Sequence, residues 1–145
     1  MTRFVLDVSA ALTWCFDDEP EPLGLPEAAA ASDSEMHVPS LWPLELLNAL
    51  RTADTRGRLT EPDSWEFLEW VFTLPIVVDE PLRGSGYVAL LHLARELSVN
   101  VYDAAYLELA RRLGVPLATR DAALIAAAAR TGVSIFGVER GVSSA

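Results

Sequence analysis

The chain has 145 residues, 51% of them hydrophobic and 22% charged, with a formal net charge of −10; that is enough sequence for one sizeable core and short for two. All 11 basic residues are arginine, and the absence of lysine excludes a Walker-type phosphate loop, a Schiff-base enzyme and the usual phosphoacceptor receiver site. The acidity disfavours indiscriminate wrapping of nucleic acid, which rests on basic surface, and leaves nuclease chemistry open.

Residues 1–145 are expected to form a single domain. No apolar run approaches the roughly 18 to 20 residues that span a bilayer, and Asp7 interrupts the N-terminal apolar stretch, which has no small-residue cleavage site. The expectation is a cytoplasmic protein with no membrane segment.

Phe4–Leu6 (FVL) reads as a buried strand that ends on Asp7, and a helical pattern runs from Ser9 to Phe16. Ligands gather beyond the carboxyl ends of strands in an open parallel sheet, so Asp7 either faces a site or, like Ser9, caps the helix. Cys15, the single cysteine, lies among apolar residues and reads as a small core residue rather than a nucleophile. The acidic segment Asp17–Pro22 reads as a surface loop, followed by a helix over about Leu23–Ser32 and a strand at Met36–Val38 that carries His37. The next helix, Leu41–Arg56, has Ser40 as its expected cap and Gly57 as its stop. Within it Glu45 is the only charged residue between Val38 and Leu50, and Asn48 falls one turn later on the same face. The pair lines either a narrow exposed strip or an otherwise dry cleft.

A helix over Pro62–Thr73, capped by Thr60, carries Trp65, Phe67, Trp70 and Phe72, which suit either a core or a dimer surface. Ile76–Val78 reads as a strand, the turn-rich Asp79–Gly86 as a loop, and Ser85–Leu97 as an amphipathic helix containing His92. Val101–Leu113 follows the cap Asn100 and stops at Gly114. Asp103 suits its first turn, as in a capping box, yet borders the apolar stripe Tyr102, Ala105, Tyr106, Leu109 and Leu113. Pro116–Ala118 is a short strand; after it either Thr119 or Asp121 caps the helix Ala122–Thr131, leaving the other to face a shared cleft. Gly132 ends that helix, and Val133–Phe136 reads as a last strand. This alternation predicts an α/β fold around a mostly parallel sheet of about five strands.

Asp7, Glu45, Asp103 and Asp121 are the acids that interrupt apolar surroundings. An α/β sheet could bring them to one edge, where four carboxylates cannot all stay ionised without cations. An oxygen-only set, without paired histidines or cysteines, points to Mg²⁺ or Mn²⁺ rather than Zn²⁺.

The order VLDVSA, ELLNAL, YDAAYLELA, LATRDAALIAAA resembles the PIN domain, and most closely the VapC toxins of bacterial type II toxin–antitoxin pairs, from Phe4 to Phe136. The resemblance implies a sandwich of helices around a central parallel sheet and a Mg²⁺-dependent endoribonuclease whose acidic quartet falls on Asp7, Glu45, Asp103 and Asp121. It makes Ser9, Asn48 and Thr119 supporting residues and implies RNA products with 5′-phosphate and 3′-hydroxyl ends. Metal-activated water attacking an RNA phosphodiester agrees with these residues, and neither His37 nor His92 sits in a recognisable acid–base motif. A net acidic chain would admit RNA through local arginines, with candidates Arg51, Arg56, Arg58, Arg111, Arg112 and Arg120. It would also suit a cognate VapB-like antitoxin with a basic tail, and the family's habit adds a homodimer. Two other readings remain at this level: a catalytically weak PIN-like RNA-binding or protein-interaction module, and a nuclease acting on structured DNA.

Overall fold

The computed structural model describes residues 1–16, 19, 24–30 and 33–137. Four short parallel strands form one sheet: β1 (Arg3–Leu6), β2 (Glu35–Val38), β3 (Ile76–Val78) and β4 (Leu117–Ala118), in the order β3-β2-β1-β4. β1 lies at the centre and β1 and β2 are the buried strands, with Phe4, Val5, Leu6, Met36 and Val38 all at 0% exposure. These are the continuous apolar runs that a sheet covered on both faces demands.

The helices are α1 (Val8–Ala11), α2 (Leu25–Ala30), α3 (Trp42–Thr55), α4 (Glu61–Val71), α5 (Ser85–Leu97), α6 (Val101–Leu113) and α7 (Ala122–Thr131). Each long helix turns an apolar stripe inward: Trp42, Leu46, Leu50 and Ala53 on α3, and Ala104, Ala105, Tyr106, Leu107, Leu109 and Ala110 on α6. Thr60 caps α4 in a reciprocal box with Asp63, Asn100 caps α6, and Gly114 and Gly132 end α6 and α7 in the left-handed conformation that a Cβ would strain.

Several expectations need correction. Among the described residues the sheet has four strands rather than about five, because Val133–Phe136 contributes only a single parallel bridge, Leu117 to Ile135. Its neighbour β4 is two residues long. The helix expected from Ser9 to Phe16 is α1 followed by a 3₁₀ turn over Leu12–Trp14. There the Thr13 hydroxyl donates back to the Ala10 carbonyl at 2.6 Å, a competing bond that interrupts the α-helical ladder. Ser40 is not the cap of α3. That position is Leu41, without a side-chain bond, and the turn is started by the Trp42 N–H on the Pro39 carbonyl. Of the expected loop Asp17–Pro22 and the helix Leu23–Ser32, all but Glu19 and residues 24–30 lie outside the described residues.

Candidate active site

The strand order places the site. β1 connects to β2 on one side of itself and the chain returns as β4 on the other, so the order reverses between β1 and β4. In doubly wound sheets the crevice for ligands opens at such a reversal, outside the carboxyl ends of the strands. Asp7 leaves the end of β1 and Thr119 the end of β4, both at that crevice.

Asp7 occupies the N-cap position of α1, yet its carboxylate makes no capping hydrogen bond. Instead Oδ2 accepts from the Ser9 hydroxyl at 2.7 Å and from the Thr119 hydroxyl at 2.6 Å. The ionised carboxylate can only accept, so both hydroxyls donate to it. Ser9 Oγ takes the Arg120 N–H at 2.9 Å and Thr119 Oγ1 the Asp121 N–H at 3.1 Å, leaving one proton each for Asp7. Thr119, 4% exposed, is thus turned to Asp7, while Asp121 is the cap, its Oδ1 accepting from the N–H groups of Ala123 and Leu124. The network makes Asp121 the cap of α7 and leaves the Asp7 carboxylate out of the cap of α1. Thr119→Val keeps the shape and removes the proton; it is expected to cost about 1–3 kcal/mol of stability at neutral pH in chemical denaturation.

The other two acids come from separate helices. Glu45, half-buried on α3, accepts from the Tyr106 hydroxyl through Oε1 at 2.6 Å. Asp103, half-buried in the first turn of α6, gives its N–H to the Asn100 side chain at 2.8 Å, but among the described residues its carboxylate returns no bond to close a capping box. Asn48 is exposed and makes no hydrogen bond with the described residues.

Electrostatics tie the acids together. Burial raises the Asp7 carboxyl above the usual range against the opposing bonds from Thr119, Ser9 and the Val8 backbone, and the Asp121 charge adds to the rise. Glu45 is raised by burial, with the Tyr106 bond opposing it and the charges of Asp7 and Asp103 adding. Asp103 is raised by burial, then by Asp121 and Asp7. Burial also pushes the Tyr106 phenol far above its normal range, with the Asp7 charge and the Glu45 bond and charge reinforcing it. That hydroxyl therefore stays protonated and always donates. Sequence reasoning placed Tyr106 only in an apolar stripe. The available signal was that a tyrosine buried to 1% must find a partner for its hydroxyl.

As the side chains are placed, no three histidine, cysteine or acidic groups among the described residues close around a metal-sized point. The donor chemistry nonetheless fits a hard cation: burial, and after it neighbouring carboxylates, disfavours the charged forms of Asp7, Glu45 and Asp103, and the described residues place no arginine on these three to relieve it.

The remaining candidates fall elsewhere. His37, buried on β2, lies 3.0 Å from Glu35, and His92 is exposed on α5. Burial pushes the Cys15 thiol up to about 11, so it is not a thiolate at neutral pH. It lines a cavity of about 660 Å³ with Trp14, Phe67 and Trp70 that contains none of the four acids. Phe67 is buried, whereas Trp65, Trp70 and Phe72 are 62%, 44% and 57% exposed. Arg112 is committed to Glu108 at 2.7 Å and Asp79 at 2.5 Å, whereas Arg58 and Arg120 both reach Glu19.

A parallel sheet with an acidic crevice at its reversal point agrees with what comparison finds. The PIN domain family matches residues 4–130. Ribonuclease VapC3 of Pyrobaculum aerophilum is 32% identical over 124 residues, covering 82% of this chain and 89% of that protein. The crystal structure of PAE2754, also from Pyrobaculum aerophilum, superposes with a TM-score of 0.66 at 21% identity, over 87% of this chain and 84% of that one, a likeness of fold. The chain belongs to the PIN-domain family, and its curated relative is of the VapC type.

Proposed function

We propose that the protein is an endoribonuclease of the VapC type, dependent on Mg²⁺ or Mn²⁺ and acting as the toxin of a toxin–antitoxin pair. The observation that supports the reading is that Asp7, at the end of β1 by the reversal point of the sheet, shares one network with Ser9, Thr119 and Asp121, and that the charges of Asp7 and Asp103 reach Glu45 and those of Asp7 and Asp121 reach Asp103. The relative named a ribonuclease supports the RNA substrate.

Asp7, Glu45, Asp103 and Asp121 would hold the cation. When bound, it would supply an acidified water and charge stabilisation for in-line displacement at a phosphodiester. The chain's own contribution is orientation. Ser9 and Thr119 fix Oδ2 of Asp7, the Tyr106 hydroxyl fixes Oε1 of Glu45, and the α7 cap fixes Oδ1 of Asp121. Burial of Asp7 strengthens its attraction for a cation relative to an exposed acid.

The acidic pocket and the net charge of −10 suit a basic antitoxin tail in a cytoplasmic setting. The exposed Trp65, Trp70 and Phe72 supply apolar surface for a homodimer or the antitoxin. No helix among the described residues is long and apolar enough to cross a membrane.

The test is cleavage of single-stranded RNA by purified protein in Mg²⁺ or Mn²⁺, with Asp103→Asn and a chelator as controls and the product ends mapped. Metal-dependent products with 5′-phosphate and 3′-hydroxyl ends, absent in both controls, are expected. Cleavage that persists in Asp103→Asn or in the chelator contradicts the proposal.

A further inference from the structure

We infer that Tyr102 is a stacking platform for a nucleobase of the RNA, at the rim of the acidic crevice and next to the phosphodiester to be cut. The inference rests on the ribonuclease reading and adds how the strand is held there.

Tyr102 and Tyr106 lie four residues apart on α6, so they share one face of the helix, one turn apart. Their surroundings are opposite. Tyr106 is 1% exposed and donates to Glu45, whereas Tyr102, one turn nearer the start of the helix, is 58% exposed. The stripe that meets Glu45 as a buried ring thus continues outward as an open one. The next residue is Asp103, whose carboxyl feels the charges of Asp121 and Asp7. Neither packing nor hydrogen bonding accounts for the Tyr102 ring, since more than half of it stays in water and its hydroxyl bonds to no described residue. Leu44, 72% exposed, precedes Glu45 in the same way, so each helix-borne acid adjoins an apolar side chain open to solvent.

The electrostatics favour an uncharged contact. In a chain of net charge −10, with Asp7, Glu45 and Asp103 close to one another, the crevice repels phosphates. A base carries no charge, and any base can stack on an aromatic ring. The turn that presents Tyr102 is already fixed: the Asn100 side chain accepts the Asp103 N–H at 2.8 Å, and Ala104 to Leu107 are buried. A tyrosine has two side-chain torsions to lose, so stacking on it costs little entropy. Its polar hydroxyl suits a ring that stands in water until RNA binds.

The test is steady-state cleavage by the full chain of a short single-stranded RNA in Mg²⁺, and of a series of that RNA in which one base at a time is removed. For the wild type, one abasic position beside the cut is expected to raise KM by about 5- to 100-fold. Tyr102→Ala is expected to raise KM on intact RNA by a similar factor, with kcat changed much less, and to be indifferent to that abasic position. Tyr102→Phe and Tyr102→Trp keep the ring and are expected to behave as the wild type. Tyr102→Leu keeps apolar bulk without a flat π face and is expected to behave as the alanine variant, which it replaces if thermal melts show alanine to be unfolded. Tyr87→Ala, which removes a tyrosine 55% exposed on α5, is expected to leave KM unchanged. If Tyr102→Ala keeps the wild-type KM, or responds to every abasic position as the wild type does, the platform is wrong and the ribonuclease reading stands. A Tyr102→Phe protein as impaired as the alanine variant makes the hydroxyl the contact and overturns stacking. A drop in oligomeric mass in Tyr102→Ala, with the abasic response unchanged, assigns the ring to a second copy of the chain and overturns the RNA assignment. If the wild type cleaves no RNA, both readings fall.

Discussion

Asp7→Asn is expected to abolish RNA cleavage, by at least about 100-fold, while raising the melting temperature of the metal-free protein. Activity and stability move oppositely because Asp7 is raised by burial. Its protonated form is favoured in the folded state, so its stabilising contribution is complete below the unfolded value of 3.8 and is lost as pH rises through the higher folded value. As pH rises through that folded value, the metal-free fold takes on a buried charge at Asp7. Asparagine removes that charge and its carbonyl oxygen can still accept from Ser9 and Thr119. Each kcal/mol relieved is expected to raise Tm by roughly 2–4 °C. Glu45 and Asp103, also raised, give the metal-free wild type a stability that declines as pH rises from the acidic range toward neutrality. Added Mg²⁺ or Mn²⁺ is expected to raise Tm in the wild type and much less in Asp7→Asn. Thermal melts from pH 4 to 8, with and without metal, check this. A metal-free variant less stable than wild type at pH 7, or an equal metal shift in both proteins, contradicts the assignment of Asp7.

Tyr106→Phe is expected to lower cation affinity and cleavage by about 10- to 100-fold, the usual effect of losing a hydrogen bond to a metal-binding side chain. The phenol donates to Glu45 at 2.6 Å and would act on a cation through that carboxylate. Global stability should change less, because Glu45 is half-exposed and water can replace the lost donor. Calorimetric titration of Mn²⁺ separates the two effects. A Tyr106→Phe protein with unchanged metal affinity and rate makes the hydroxyl a packing detail.

The four acids were visible in the sequence because charge inside apolar periodicity is unusual at any position. Glu45 stood out as a lone charge in LWPLELLNAL, and Asp7 as the polar end of FVL. The long helices were equally visible, since the stripes of α3 and α6 recur at the helical period and Thr60, Asn100, Gly114 and Gly132 punctuate them. Less visible was anything decided by competition between nearby groups. Ser40 and Leu41 are both plausible starts until the Pro39 carbonyl captures the Trp42 N–H. The first helix tightens into a 3₁₀ turn where the Thr13 hydroxyl bonds back to the Ala10 carbonyl. Val133–Phe136 has the composition of a strand, but a two-residue neighbour offers it only one bridge.

By itself the sequence determined the α/β alternation, the helix stripes and the residue types able to bind a hard cation, all of which depend on local spacing and composition. Only the tertiary structure decided which hydroxyls serve Asp7, that Asp121 rather than Thr119 caps α7, and that Tyr106 donates to Glu45. Apart from the local cap of Asp121, the deciding bonds join residues distant in the chain: Thr119 to Asp7, Ser9 to the Arg120 N–H, Tyr106 to Glu45. They exist because β4 returns beside β1 and reverses the strand order there. Spacing along the chain records no such pairing, since a hydrogen bond between distant residues is fixed by where the sheet brings their backbones.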